Sequence, residues 1–402
     1  MPPEPTPPAP PSASPETTSP EAEPETKPGA ENDWRWQHTH AATDLDAVER
    51  LFPGRFDLAS LDRPGIEAAI ALYGMRATPY YLGLAQRASE DDPVWALAVP
   101  SPRETRVLPA EREDPIGDEL PGLRPHPALT RRYRDRVLLF PTPTCSVHCR
   151  HCFRKRLVGN VDYAVNEAGL AEAVAWIAGE PELHEVILTG GDPLTLGDAR
   201  LLELLAALDR LPHIWSLRIH TRMPVVNPAR ITPELAEGLG RLETPVLVVT
   251  HFNHAVEVSP QAATAAARLR AAGVDCLNQS VLLAGINDEP EGHRELIWAL
   301  LRAGIRPYAL HHADLVPGTS HLRTAVQTGY GLLRALRGTV PGHALPRYLL
   351  DVPGGHGKIP LDYPWVTPGV LGGLRVEAPD GSIHLYGGPA DRPWDDPAPP
   401  SA

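Results

Sequence analysis

The apolar positions of this chain follow two regimes, with a change near residue 137. Beyond it, short strand-sized runs recur at Val137–Phe140, Val186–Leu188, Leu217–Ile219, Val246–Val249, Ser280–Leu283 and Tyr308–Leu310. Between them lie windows with apolar residues three and four apart: Glu167–Ala178, Ala199–Leu208, Pro233–Leu239, Gln261–Ala272 and Glu291–Ala303. Strand-sized runs alternating with helical windows predict βαβ units and a parallel sheet. Six units over roughly 180 residues predict an α/β fold, an incomplete (βα)6 TIM-like barrel, because a closed eight-stranded barrel takes about 250 residues.

Ahead of the barrel, Pro64-Gly65-Ile66-Glu67 opens a helix within a proline-punctuated helical region, and Glu111 to Pro127 reads as a loop threaded over a surface. The expected organisation is a disordered tail at 1–32, a helical region at 33–136, the barrel at 137–340, a C-terminal cofactor-binding segment at 341–388 and a second disordered tail at 389–402. The tails follow from composition. Eleven of the first 30 residues are Pro, and few are large and apolar, so the segment cannot bury enough surface to offset its chain entropy. It has neither the basic start nor the apolar run of a secretory signal.

The formal net charge of −13 narrows the partners. Six Glu and one Lys in residues 1–32 place about −5 of it in the tail, and no basic stripe is present, which argues against nucleic acid. No window reaches the roughly 18 consecutive apolar residues of a membrane helix. Four cysteines, three of them within eight residues, suit a reducing cytoplasm and a metal rather than a disulfide framework.

Those three, Cys145, Cys149 and Cys152, have spacing C-x3-C-x2-C directly after the first barrel strand. Three thiolates on one loop can each hold an iron of a [4Fe–4S] cube and leave the fourth iron open to chelate a ligand. The alternatives are structural zinc with His148 or His151 as fourth ligand, or a four-thiolate cluster completed by Cys276, which also reads as a buried apolar-like residue. Polar residues follow the barrel runs at Thr189-Gly190-Gly191-Asp192, His220-Thr221-Arg222, Thr250-His251-Phe252-Asn253-His254 and His311-His312. In such barrels the chemistry gathers at these strand ends. Pro353-Gly354-Gly355-His356-Gly357-Lys358 reads as an anion-binding turn with a solvated Lys, or as a loop presenting an amine to a carbonyl.

With Leu188-Thr-Gly-Gly-Asp-Pro-Leu194, Thr250-His-Phe-Asn-His254, Asn278-Gln-Ser-Val-Leu-Leu283 and the glycine-lysine loop, the chain resembles the radical S-adenosylmethionine superfamily. Within it, from about Glu111 to Leu385, it resembles lysine 2,3-aminomutase. The resemblance implies a [4Fe–4S] cluster on the three cysteines and S-adenosylmethionine seated by Gly190, Gly191, Asp192, His251 and Gln279. It also implies pyridoxal 5′-phosphate carried on Lys358, with its phosphate met by Arg132, Tyr133 and Arg136. Arg154 matches the family's carboxylate clamp, and Asp314 and Asp351 match the two acids that hold a lysine ammonium. Glutamate-specific relatives replace both acids. The implied reaction moves the 2-amino group of L-lysine to C3, giving β-lysine, with a flavodoxin or ferredoxin as one-electron donor. The same chemistry on another cationic amino acid, or in service of elongation factor P modification, is the nearest alternative; a non-enzymatic iron–sulfur protein is a remote one. His311-His312-Ala313 departs from the Tyr-containing segment of the lysine enzymes, and the C-terminal zinc cysteines of some members are missing, so no zinc is expected. The sequence allows a homo-oligomer without specifying one.

Overall fold

The computed structural model describes residues 32–369 and 373–386. The tails expected at 1–32 and 389–402 lie outside the described residues, Asn32 apart. One nine-stranded sheet runs in sequence order: β1 Leu129–Thr130, β2 Arg136–Thr142, β3 Glu185–Gly190, β4 Ser216–His220, β5 Val246–Thr250, β6 Asp275–Leu282, β7 Arg306–His312, β8 Arg347–Val352 and β9 Gly357–Pro360. Strands β2 to β8 are parallel, and β1 and β9 close the two edges antiparallel. Helices Glu167–Ala178, Asp198–Asp209, Pro233–Gly240, Pro260–Ala271, Pro290–Ala303 and Val326–Leu336 make the six crossovers from β2 to β8. The sheet is an open, partial barrel of six βα units, as the alternating pattern predicts. A separate antiparallel sheet follows: β10 Val366–Pro368, β11 Leu374–Glu377 and β12 Ile383–Tyr386.

Local chemistry accounts for these boundaries. Several helices start on a capping side chain followed by proline: Thr78-Pro79, Asp92-Pro93, Thr232-Pro233 and Ser259-Pro260 all cap a backbone N–H of the first turn. Proline costs nothing at that position, because its missing N–H has no partner in the helix and its φ is already helical. The abundance of proline in this chain is therefore partly a set of helix starts. In β6 the sides alternate: Cys276, Asn278, Ser280 and Leu282 are buried, while Gln279 and Val281 line the barrel mouth.

Two expected boundaries fall inside continuous structure. The segment from 341 does not stand apart, because β8 pairs with β7 in parallel and extends the same sheet. The helices of 33–136 share one core with the barrel, where Leu45, Val48, Tyr81 and Trp95 pack with Leu139, Val186 and Leu217. Nor does the loop of 111–127 stay on the surface: residues 115–118 are buried, and Ile116 reaches the barrel mouth.

Candidate active site

The C-terminal ends of β2 to β8 open onto a cavity of about 760 Å³. Cys145, Cys149 and Cys152 line one part of it, and Lys358, Asp351 and Asp314 line another. Positions up to 213 residues apart in sequence thus share one space.

The cysteine loop leaves β2 and is held by the N-terminal helices. The N–H of His148 donates to Arg76 O at 2.8 Å, that of Arg150 to Leu97 O at 3.2 Å, and His38 Nδ1 meets Ser146 Oγ at 2.8 Å. Beneath the loop, Glu104, fully buried, accepts from Arg150 Nη2 at 2.6 Å and Lys155 Nζ at 2.9 Å. Burial alone would raise the Glu104 pKa; the two cations outweigh it and hold the carboxyl below its ordinary value. A buried acid with two buried cations is costly to disrupt, so this cluster fixes the loop. Gly191 lets the loop approach β3: a Cβ there would sit 2.5 Å from Pro143 C and Thr144 O. Burial drives the Cys145 thiol well above its ordinary pKa and Cys152 to about 11. Such thiols become thiolates by binding metal, with release of their protons. Arg222 donates to Cys149 Sγ at 3.0 Å and is itself held by Glu257 and by the Tyr81 hydroxyl. Cys276 belongs to the hydrophobic core rather than the cavity, and burial raises its thiol to about 12.

Next to the loop, Asp192 is buried. Its carboxylate accepts from Thr221 Oγ1 at 2.7 Å, Arg222 N at 2.7 Å and Leu194 N at 3.0 Å, so it ties the Gly190-Gly191 turn to the end of β4. Gln279 Nε2 donates to His251 Nε2 at 2.9 Å and, more weakly, to His220 Nδ1 at 3.4 Å. Burial, with the Arg222 charge nearby, pushes His251 down to about 3, so it is neutral at physiological pH.

The far end is a charged assembly. Arg132 makes a two-point pair with Asp351, at 2.9 and 3.2 Å, and Asp351 also takes the Lys358 ammonium. Burial would raise the Asp351 pKa, but Lys358 and Arg132 outweigh it and lower it. Arg154 pairs with Asp118 and stacks on Phe153 and Phe140, its Cζ 4.5 and 5.1 Å from the ring centroids. Asp118 also stands 3.6 Å from Arg132 Nε. Tyr133 Oη accepts the backbone N–H of Lys358 at 2.8 Å, and Arg136 lies over the Tyr133 ring at 4.1 Å. Gly357 makes this contact available: it has φ +87°, and a Cβ would come 2.7 Å from Tyr133 Oη. Asp314 differs from the other acids. Among the described residues its side chain has no hydrogen bond or ion pair, and burial, followed by the Asp351 charge, raises it to about 7. His311 beside it is held near 3 by burial and by Lys358.

All fifteen residues singled out from the sequence are in or bordering this one cavity, and all fifteen line it. Sequence reading missed Asp118, Arg222 with its partners Glu257 and Tyr81, and His220 as a group of its own. Only the strand-end position of His220-Thr221-Arg222 could have flagged any of them.

Residues 139–297 match the model of the Radical SAM superfamily. L-lysine 2,3-aminomutase of Acetoanaerobium sticklandii is 38% identical over 82% of this chain and 78% of its own length. The chain belongs to the lysine 2,3-aminomutase family of radical S-adenosylmethionine enzymes. The L-lysine 2,3-aminomutase of Methanococcus maripaludis is 36% identical over 90% of this chain and 82% of its own length. Glutamate 2,3-aminomutase of Clostridioides difficile is also similar, at 36% over 83% of this chain and 78% of its own. Among solved structures, Streptococcus suis SuiB bound to S-adenosylmethionine superposes with a TM-score of 0.41, at 16% identity over 54% of this chain and 50% of that one.

The protein is thus an isomerase of the lysine 2,3-aminomutase type. Enzymes of this family use a [4Fe–4S] cluster, S-adenosylmethionine, pyridoxal phosphate and an external one-electron reductant. The residues fit these groups. Three sulfurs face the cavity with one cation against them, and a Lys in a glycine loop stands beside arginines and a tyrosine. Among the described residues no helix is long and apolar enough to cross a membrane.

Proposed function

We propose that this enzyme moves the 2-amino group of L-lysine to C3, giving β-lysine. The observation that carries the substrate is Asp314, a half-buried carboxyl lining the cavity that among the described residues makes no ion pair of its own. A substrate ammonium there would restore the ionised form that burial opposes. Glutamate would bring a second anion against Asp314 and Asp351, an arrangement of like charges that costs heavily in a partly desolvated site.

In this reading Cys145, Cys149 and Cys152 hold three irons, and Gly190, Gly191, His251 and Gln279 seat S-adenosylmethionine, with Asp192 fixing the glycine turn. Lys358 carries the pyridoxal group, with Tyr133 and Arg136 near its phosphate. When bound, the cluster and S-adenosylmethionine supply a primary carbon radical, and the pyridoxal group supplies a conjugated carrier for the migrating nitrogen. The chain's own residues bind and orient. Arg154, against the rings of Phe140 and Phe153, offers a planar guanidinium to the substrate carboxylate. Arg132 holds Asp351 in place while Lys358 is engaged elsewhere. Asp314 and Asp351 grip the distant ammonium, so that C3 is presented at a fixed angle. The loop at 115–118 and the aromatic pair around Arg154 keep bulk water from that end.

The test is anaerobic turnover of [2-15N]lysine by protein loaded with cluster and pyridoxal phosphate, with nitrogen position read by NMR. Label at C3 supports the reading; turnover of glutamate, arginine or ornithine in preference to lysine overturns the substrate assignment. Borohydride treatment followed by peptide mass spectrometry is expected to place the phosphopyridoxyl group on Lys358 and to find none in Lys358→Ala.

A further inference from the structure

His220 ends β4, between Gly190 at the end of β3 and His251 just past β5. Its ring lies edge-on to that of His251, with centroids 5.9 Å apart. The contacts of Gln279 fix the tautomers of both rings. The amide nitrogen of Gln279 has only hydrogens to give, so the nitrogens it meets, His251 Nε2 and His220 Nδ1, are acceptors. The single proton of neutral His220 therefore sits on Nε2. That atom is buried and among the described residues has no partner, although the side chain lines the cavity. An N–H donor shut away from water without an acceptor is destabilising, which makes it a group that awaits a ligand. Burial, followed by the Arg218 charge, holds the ring far below its ordinary pKa, so the donor is neutral.

The position identifies the ligand class. His220 meets Gln279, which also meets His251, and the ring lies within electrostatic reach of His251, His311 and Lys358. Under the proposed function, on which this inference rests, the methionine end of S-adenosylmethionine reaches the cysteine loop and its 5′ carbon reaches the substrate near Lys358. That 5′ carbon is bonded directly to the sulfonium and belongs to the ribose, so the ribose is the hydroxyl-bearing part of the cofactor carried towards Lys358, and Gln279, which seats the cofactor in the same reading, touches His220. We propose that His220 is a further cofactor-binding residue, whose Nε2–H donates to a ribose hydroxyl oxygen of S-adenosylmethionine. In the same act it holds Gln279 between two imidazoles, so the ribose meets a preset group of donors.

The experiment measures binding without turnover. Cluster-loaded, oxidised protein with no reductant is titrated anaerobically with S-adenosylmethionine and with its 2′-deoxy and 3′-deoxy analogues, for the parent, His220→Phe and His220→Asn. The Phe variant is expected to bind S-adenosylmethionine about 3- to 10-fold more weakly, the size of one neutral hydrogen bond. One deoxy analogue should weaken binding to the parent by a similar factor yet bind the Phe variant as well as the full cofactor does. His220→Asn, smaller and still a donor, should recover part of the loss and serves where Phe does not fold. Pyridoxal phosphate occupancy should stay unchanged. Equal affinity of parent and variants overturns the inference, as does a loss confined to pyridoxal phosphate, or a penalty for both deoxy analogues that persists in full in the Phe variant. A parent that binds no S-adenosylmethionine overturns the proposed function as well; a parent that binds while the variants are indifferent overturns this inference alone.

Discussion

Replacing Asp314 by Asn isolates the electrostatics of the substrate end. In the ligand-free protein the Asp314 carboxyl has its pKa raised from the ordinary 3.8 to about 7, by burial first and by Asp351 second. The sign follows from linkage. A carboxyl that is harder to ionise when folded contributes no penalty below pH 3.8, a growing one as pH rises towards 7, and a constant one above. At about 1.4 kcal/mol per pKa unit the full penalty is about 4 kcal/mol, and water in the adjoining cavity should reduce it to about 2 kcal/mol. Asn keeps the shape and removes the charge. Urea denaturation of ligand-free parent and Asp314→Asn, run from pH 5 to pH 8, should show the variant gaining about 1–2 kcal/mol over the parent across that range. With the cofactors loaded, L-lysine should stabilise the parent at pH 8 far more than the variant, and the KM for lysine should rise at least about 10-fold in the variant, the loss of one charge-assisted contact. A stability difference that is flat with pH, or one that falls as pH rises, refutes the reasoning.

The remaining predictions concern the scaffold. Glu104→Gln leaves Arg150 and Lys155 buried without their shared anion and should cost about 3–5 kcal/mol, with reduced iron incorporation measured on the folded fraction. Gly357→Ala forces an L side chain into φ +87° against Tyr133 Oη and should cost about 1–3 kcal/mol. Its pyridoxal phosphate occupancy should fall while iron content stays at the parent level, as visible absorbance and iron assay report.

The barrel was legible where its strands read as unbroken apolar runs, most clearly in β3, where Val186, Ile187, Leu188 and Thr189 are all buried. The barrel helices were legible through apolar residues three and four apart, and the structure adds the caps and prolines that start them. By contrast, β8 carries Asp351 among its apolar residues, because that side chain turns into the cavity, and the pattern conceals a strand that belongs to the sheet. The site divides the same way. The cysteines and Lys358 stand in compact motifs whose spacing is itself the chemistry. Asp118 and Arg222 act through partners 36 and 73 residues away, Arg154 and Cys149, and periodicity cannot report such pairings.

The distribution of charge explains why Asp314 is the most informative position. Arg154 and Arg132 are already held by Asp118 and Asp351, and Lys358 by Asp351, so a substrate carboxylate or a cofactor phosphate that meets these three cations finds them already paired. Those pairs set orientation in advance, and much of what an incoming anion gains is offset by the pairing it disturbs. Asp314 has no such partner to give up. A substrate ammonium next to it gains a new pairing and relieves a standing penalty at once, so discrimination for a cationic side chain concentrates there. This is why its removal should change lysine affinity more sharply than a comparable loss at Asp118.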